Sequence, residues 1–223
     1  MLAVEKTALR DAVIAELDFD PRVNDERIGV AVSDGIVTLI GSVCSLTEKW
    51  AAGDAVRRVK GVLGVAEDLQ VDLPAVHRRD DTDVARACAE ALHWDAWLPR
   101  TVAVTVRDGY VTLSGEVDWD YQRGEAENTV RRILGVRGIY NEIILRPRIA
   151  TAQIAGEISR ALERNAQLEA GAITVSTDRG TVTLRGRVRN WTEWAAATRA
   201  AWSAPGVAAV DNELSVSDME MSA

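Results

Sequence analysis

Along this chain the apolar positions change period in a fixed order. Leu9, Val13 and Leu17 recur every fourth residue, as do Val84, Cys88 and Leu92, and later Ile154, Ile158 and Leu162. That spacing gathers three side chains on one helical face. Strict alternation follows each helical stretch: Ile28, Val30 and Val32, then Val102, Val104 and Val106, then Ile173 and Val175 with Thr177. A period of two predicts a strand buried on one side. Asp34-Gly35 and Asp108-Gly109 come next, a dipeptide favoured in two-residue hairpins because both central positions need positive φ. Arg179-Gly180 is the weaker third version. A second strand then buries Val37, Leu39, Gly41 and Val43 or their counterparts.

After that strand a helix begins. Ser45-Leu-Thr-Glu48 and Asn190-Trp-Thr-Glu193 fit the pattern in which a side-chain oxygen and a Glu three residues on satisfy orphan amides. The inner face of this helix reads Ala52/Val56/Val59, Ala126/Val130/Ile133 and Ala197/Ala201/Ala204, and Gly61, Gly135 and Gly206 end it. Last comes a strand with Val65, Leu69 and Val71, or Ile139, Ile143 and Leu145, or Val210, Leu214 and Val216.

The order is the same three times over. Gly-x-Val-Thr-Leu-x-Gly-x-Val occupies 35–43, 109–117 and 180–188, and a Gly-Val pair follows the second glycine at the same interval in each. The fold class is therefore α+β: three tandem αββαβ units, each a three-stranded mixed sheet with two helices packed on one face. Residues 1–73, 82–146 and 151–217 form the units; 74–81 and 147–150 are linkers and 218–223 a frayed tail. A strand–helix–strand crossover between parallel strands should be right-handed. Units of about 70 residues sit near the lower limit for independent folding, so contact between units is expected. Ile36 and Ile40, outward if Val37 and Leu39 point inward, are the expected inter-unit contact.

The strand motif, the Gly-Val helix end and the final strand, with Asn141 and Asn212 at its centre, resemble the BON domain, named after bacterial osmotically inducible and nodulation proteins. The resemblance covers nearly the whole chain. It implies the αββαβ fold and a non-catalytic module of osmotic-stress and envelope-maintenance proteins, often binding phospholipid or acting as an accessory domain. One relative, with a BON and a LysM domain, senses potassium. Glu67 departs from the asparagine pattern.

Composition narrows function mostly by exclusion. Net charge is −8, with −5, −1 and −2 on successive thirds, against the basic excess of a nucleic-acid binder. Cys44 and Cys88, with His77 and His93, offer no metal-ligand spacing. No phosphate loop, nucleophile elbow or acid–base cluster is present, so no catalytic residue, metal or cofactor is expected. No apolar run is long enough to span a bilayer, and the first residues do not read as a secretory leader. The expected compartment is cytoplasmic if Met1 is the natural start and periplasmic if a leader was removed.

The remaining chemistry lies in unit three. Arg185, Arg187 and Arg189 alternate along one strand, which puts three guanidinium groups on its solvated face. Trp191 and Trp202 fall on one flank of the following helix, about 20° apart in angle. Indoles beside arginines suit a membrane interface, so these five residues are the candidates for anionic phospholipid or a partner. At roughly 1 kcal/mol per basic residue, three arginines provide a modest attraction. A protein partner or homo-oligomer, and a cation (potassium) response, are the alternatives. Gly41, Gly115 and Gly186 are expected to be structural, admitting a close helix or a bulge. Asn141 and Asn212 are expected to tie down a neighbouring loop or turn.

Overall fold

The computed structural model describes residues 2–146, 154–165, 172–178 and 180–216. The expected linker 147–150, the first residues of unit three, Arg179 of its turn and the tail 218–223 lie outside the described residues. Contacts divide the chain into two compact bodies, 1–117 with 122–144 and 118–121 with 145–223.

In the first body, repeat one runs α1 (Leu2–Phe19), β1 (Ile28–Ser33), β2 (Ile36–Val43), α2 (Leu46–Arg58) and β3 (Gly64–Val71). Strand β2 is central: it pairs antiparallel with β1, Ser33 opposite Ile36, and parallel with β3, Ile36 opposite Gly64. The hairpin turn holds Asp34 at φ 51° and Gly35 at φ 77°, the double positive φ that its dipeptide predicts. Val13 and Leu17 of α1 meet Val37, Leu39 and Val43 of β2 and Ala52, Ala55 and Val56 of α2 in one core, closed by Val62 and Leu69. Both helices thus cover one face of the sheet. Each fully buried Leu or Val there contributes roughly 1.5–3 kcal/mol relative to exposure, which is why the period-two and period-four patterns align.

Repeat two follows a 3-10 turn at Ala75–His77. It comprises α3 (Asp81–Trp94), β4 (Ala103–Arg107), β5 (Tyr110–Ser114), β6 (Glu116–Val117), α4 (Asp120–Val130), β7 (Gly138–Asn141) and β8 (Ile144–Leu145). Its sheet is interrupted where the pattern predicted two unbroken strands: β4-β5-β7 form one sheet and β6-β8 a second, short one. Hydrogen bonds still bridge the gap, with the Glu142 amide donating to Leu113 O (2.8 Å) and that of Ile144 to Gly115 O (3.0 Å).

In the second body lie α5 (Ile154–Glu163), β9 (Ile173–Asp178), β10 (Thr181–Val188), α6 (Trp191–Trp202) and β11 (Ala209–Val216). The sheet order is β9-β10-β11, antiparallel then parallel, as in repeat one. Its core gathers Ile154, Ile158, Leu162, Val182, Leu184, Val188, Ala197, Ala201 and Leu214. Among the described residues the architecture is mixed α+β, with three-stranded mixed sheets, the short β6-β8 pair and six α-helices.

Candidate functional site

Arg185 and Arg187 occupy the face of β10 away from the helices and Arg189 lies just past the strand's end, and carboxylates answer Arg185 and Arg189. Arg185 stands directly across from Glu213 in the parallel register. It donates from Nε at 2.6 Å and from Nη2 at 3.0 Å to the two carboxylate oxygens. This fork holds the Glu213 carboxyl below its ordinary value and raises Arg185. Arg189 turns to Glu193, giving its backbone amide to Oε2 at 2.8 Å and its Nε to Oε1. Arg187 is exposed, with no ion pair among the described residues. The Arg189 partner lies only four residues on, against the reading of Arg189 as a solvated cation, whereas the Arg185 pair needed the β10–β11 register.

Trp191, at the start of α6, is half-buried, with its ring 5.6 Å from that of Trp194. Trp194 packs on the core, and Trp202 ends the helix half-buried. In this body Trp119, Asp120 and Tyr121 line a cleft of about 320 Å³ with Arg199, Trp202 and Ser203.

The buried carboxylates are taken up by structure. Glu48, 8% exposed, accepts the amides of Asn24 (2.9 Å) and Cys44 (2.7 Å). Ser45 caps the Glu48 amide at 3.1 Å. Its side chain therefore clamps the loop before β1 and the end of β2, a longer reach than a helix cap. Asp20, 5% exposed, is held by Arg22 and Arg58. Burial pushes the Cys88 thiol up to about 11. Among the described residues no three His, Cys, Asp or Glu side chains gather as a metal site.

The glycines of β2, β5/β6 and β10 stand against neighbouring backbone. Gly41, Gly115 and Gly186 have φ between 119° and 138°. A Cβ at these positions would meet the carbonyl oxygen of Arg27, Thr101 or Ala172 at 2.0–2.2 Å. The close neighbour is the backbone leading into the antiparallel partner strand, which for Gly41 is the last residue of the 3-10 turn Asp25–Arg27. Asn141 Nδ2 donates to Arg123 O (3.0 Å) and Glu127 Oε2 (3.2 Å), and its Oδ1 accepts the Ile143 amide. Asn212 repeats this with Thr198 Oγ1 (2.6 Å) and the Leu214 amide. Both tie the last strand to the preceding helix. Glu67, more exposed, pairs instead with Arg57 at 3.0 Å.

In the first body a seam joins the two repeats. Thr47, in the first turn of α2, donates its hydroxyl to Arg131 O beyond the end of α4 (3.2 Å). The Arg131 guanidinium sits 4.8 Å from the Trp50 ring centroid, within cation–π range. Beside them is a cleft of about 300 Å³ whose lining includes Leu46, Lys49 and Trp50 of α2 with Tyr110, Gly138 and Tyr140 on the open sheet of repeat two. Tyr110 and Tyr140 stack there at 6.0 Å. The open sheet of repeat one is apolar where that of repeat two is aromatic: Ile36 and Ile40 point outward and are 43% and 49% exposed, with Leu63 beside them at 44%, against 40% for Tyr110 and 58% for Tyr140. The Thr47 and Trp50 contacts of the seam come from α2, on the helical side of repeat one.

Comparison with known proteins places these features. The BON domain matches residues 5–72, 80–147 and 150–218. The chain is 28% identical over 145 residues to osmotically-inducible protein Y of Escherichia coli (strain K12), across 63% of this chain and 72% of that one. Among solved structures it is similar to CdsD, a structural protein of the type III secretion system of Chlamydia trachomatis, at 16% identity and TM-score 0.28, over 96% of this chain and 94% of that one. The C-terminal domain of CdsD gives 16% identity and TM-score 0.26, over 94% and 97%. These structural likenesses are too distant to carry an argument. The sequence matches, repeated three times over the αββαβ order, do: this chain belongs to the BON domain family.

Proposed function

We propose that the chain is a non-catalytic binding protein of the osmotic-stress kind, working through the surfaces of its repeated units. The observation that carries this is the exposed aliphatic sheet face of repeat one, Ile36 and Ile40 with Leu63. An exposed apolar patch rimmed by polar residues marks an interaction surface. The relative in Escherichia coli, named for osmotic induction, supports the setting. The buried carboxylates Glu48, Glu193 and Asp20 are engaged by backbone amides and arginines, which speaks for structure in place of acid–base work.

Protein contact is favoured over anionic phospholipid. With Arg185 and Arg189 matched by Glu213 and Glu193, the candidate lipid face of repeat three keeps the attraction of Arg187, about 1 kcal/mol near an anionic surface. The net charge of −8 opposes it. A photo-crosslinking residue in place of Ile40 tests the reading in host cells shifted to high osmolarity. Protein adducts are expected from position 40 and none from the same probe at Glu90. Co-sedimentation with anionic but not neutral vesicles, lost in Arg187→Glu, would instead establish the lipid surface.

A further inference from the structure

Repetition makes the seam of the first body a template. Counting from Gly41, Gly115 and Gly186, equivalent positions in successive repeats differ by 74 and then 71. Thr47 and Arg131, which meet in the first body, thus correspond to Tyr121 and Trp202, which line one cleft in the second. The same two helix positions meet in the first body and border one cleft in the second. The receiving half also exists in repeat one: Ile36 stands where Tyr110 does, Ala66 where Tyr140 does, Leu63 where Arg137 does and Arg57 where Arg131 does. All are exposed or half-exposed. The inserting half exists in repeat three, where Trp191, Thr192 and Trp194 stand at the positions of Leu46, Thr47 and Lys49.

We infer that the Ile36/Leu63 sheet face of repeat one docks the first turn of α6 from a second copy of this chain, repeating the internal seam between molecules. This rests on the surface reading above and names its partner. The bulk is redistributed in a complementary way. Inside the chain the sheet supplies two tyrosines and the helix Leu46 and Lys49. Between copies the sheet supplies Ile36 and Ala66, and the helix supplies the Trp191 indole, backed by Trp194 on its own core. Volume-conserving exchange of this kind is what packed interfaces tolerate. Thr192 is exposed, as Thr47 is, so the hydroxyl-to-carbonyl bond has its donor, and Arg57 offers the cation for an indole face. The two surfaces differ from each other, so the contact is heterologous and extends head to tail.

Charge sets the condition for assembly. Each copy carries −8, and the thirds that would meet carry −5 and −2, so repulsion keeps copies apart at low salt. Added salt shortens the Debye length from about 10 Å at 0.1 M to about 3 Å at 1 M and releases the apolar contact. Assembly that rises with ionic strength suits a protein of osmotic stress.

Sedimentation velocity of the full chain across protein and salt concentration is the test. Average mass is expected to rise with both, equally in KCl and NaCl. Ile36→Glu and Thr192→Glu, each verified as folded by circular dichroism, are expected to stay monomeric alone. Mixed, they should form a dimer that does not extend, because each keeps one intact end. A wild-type monomer at every salt concentration, assembly in KCl alone, an assembling Ile36→Glu, or no mixed dimer would overturn the inference. If the wild type is monomeric while a probe at Ile40 captures a different protein, the surface reading stands and the self-docking falls.

Discussion

Asp20 shows how much one residue can hold in a repeat this small. Arg22 binds both its oxygens, at 2.8 and 2.6 Å, and Arg58 adds a third bond at 3.0 Å. These bonds, that from the Arg22 side chain foremost, hold the carboxyl well below its usual 3.8. A group with a depressed folded value stabilises above its unfolded value and loses that contribution as pH falls through the folded one. Asp20→Asn should therefore cost about 2 kcal/mol at neutral pH. The gap from wild type should narrow as pH falls below about 4, read as urea midpoints against pH. Glycine gives a paired case. Gly41→Ala drives a Cβ into Arg27 O with φ at 129° and should cost at least about 3 kcal/mol. Gly124, in α4 with nothing within 4 Å of an added Cβ, should gain about 0.5–1 kcal/mol as Ala. Urea unfolding of both variants checks the pair.

At the scale of the element, the start of the second helix in each repeat decides where the preceding loop goes. Glu48 reaches two backbone amides in repeat one, and Glu193 one in repeat three. The equivalent of Glu48 in repeat two is Gln122, whose Nε2 donates to Trp97 O at 2.9 Å. Carboxylate meets donors and amide meets an acceptor, so the residue type follows the polarity of its partner. Glu48→Gln should lose about 2 kcal/mol, since one carboxylate oxygen becomes a donor facing a donor. Gln122→Glu should also destabilise, by putting an acceptor against a carbonyl. Ser45→Ala should lose about 1 kcal/mol through the cap alone. Thermal melts that rank Glu48→Gln above Ser45→Ala in cost would confirm that the clamp outweighs the cap.

For the whole molecule, the two compact bodies predict unfolding that departs from a single two-state step. Leu184→Ala, in the core of the second body, should lose about 3 kcal/mol. Calorimetry should show it lowering one of two transitions and sparing the other. Much of the architecture at this scale could be read beforehand. Three copies of one motif, an Asp-Gly turn and two alternating periods are local signals, and each repeat confirms the others. The candidate site was less legible. Arg185, Arg187 and Arg189 read as three free cations because their strand pattern is local, whereas Glu213 lies a whole helix away in sequence. The seam of Thr47, Trp50 and Arg131 left no local mark either, since its partners are 84 residues apart.

Element order, turn conformation, helix capping and the inner and outer faces of the strands were written in the chain, because φ/ψ preference and side-chain period act over a few residues. Which carboxylate answers which arginine, why glycine must stand at 41, and which sheet face stays bare all depend on register and on the approach of distant backbone. Such contacts arise when the sheets assemble, and no run of neighbouring residues encodes them.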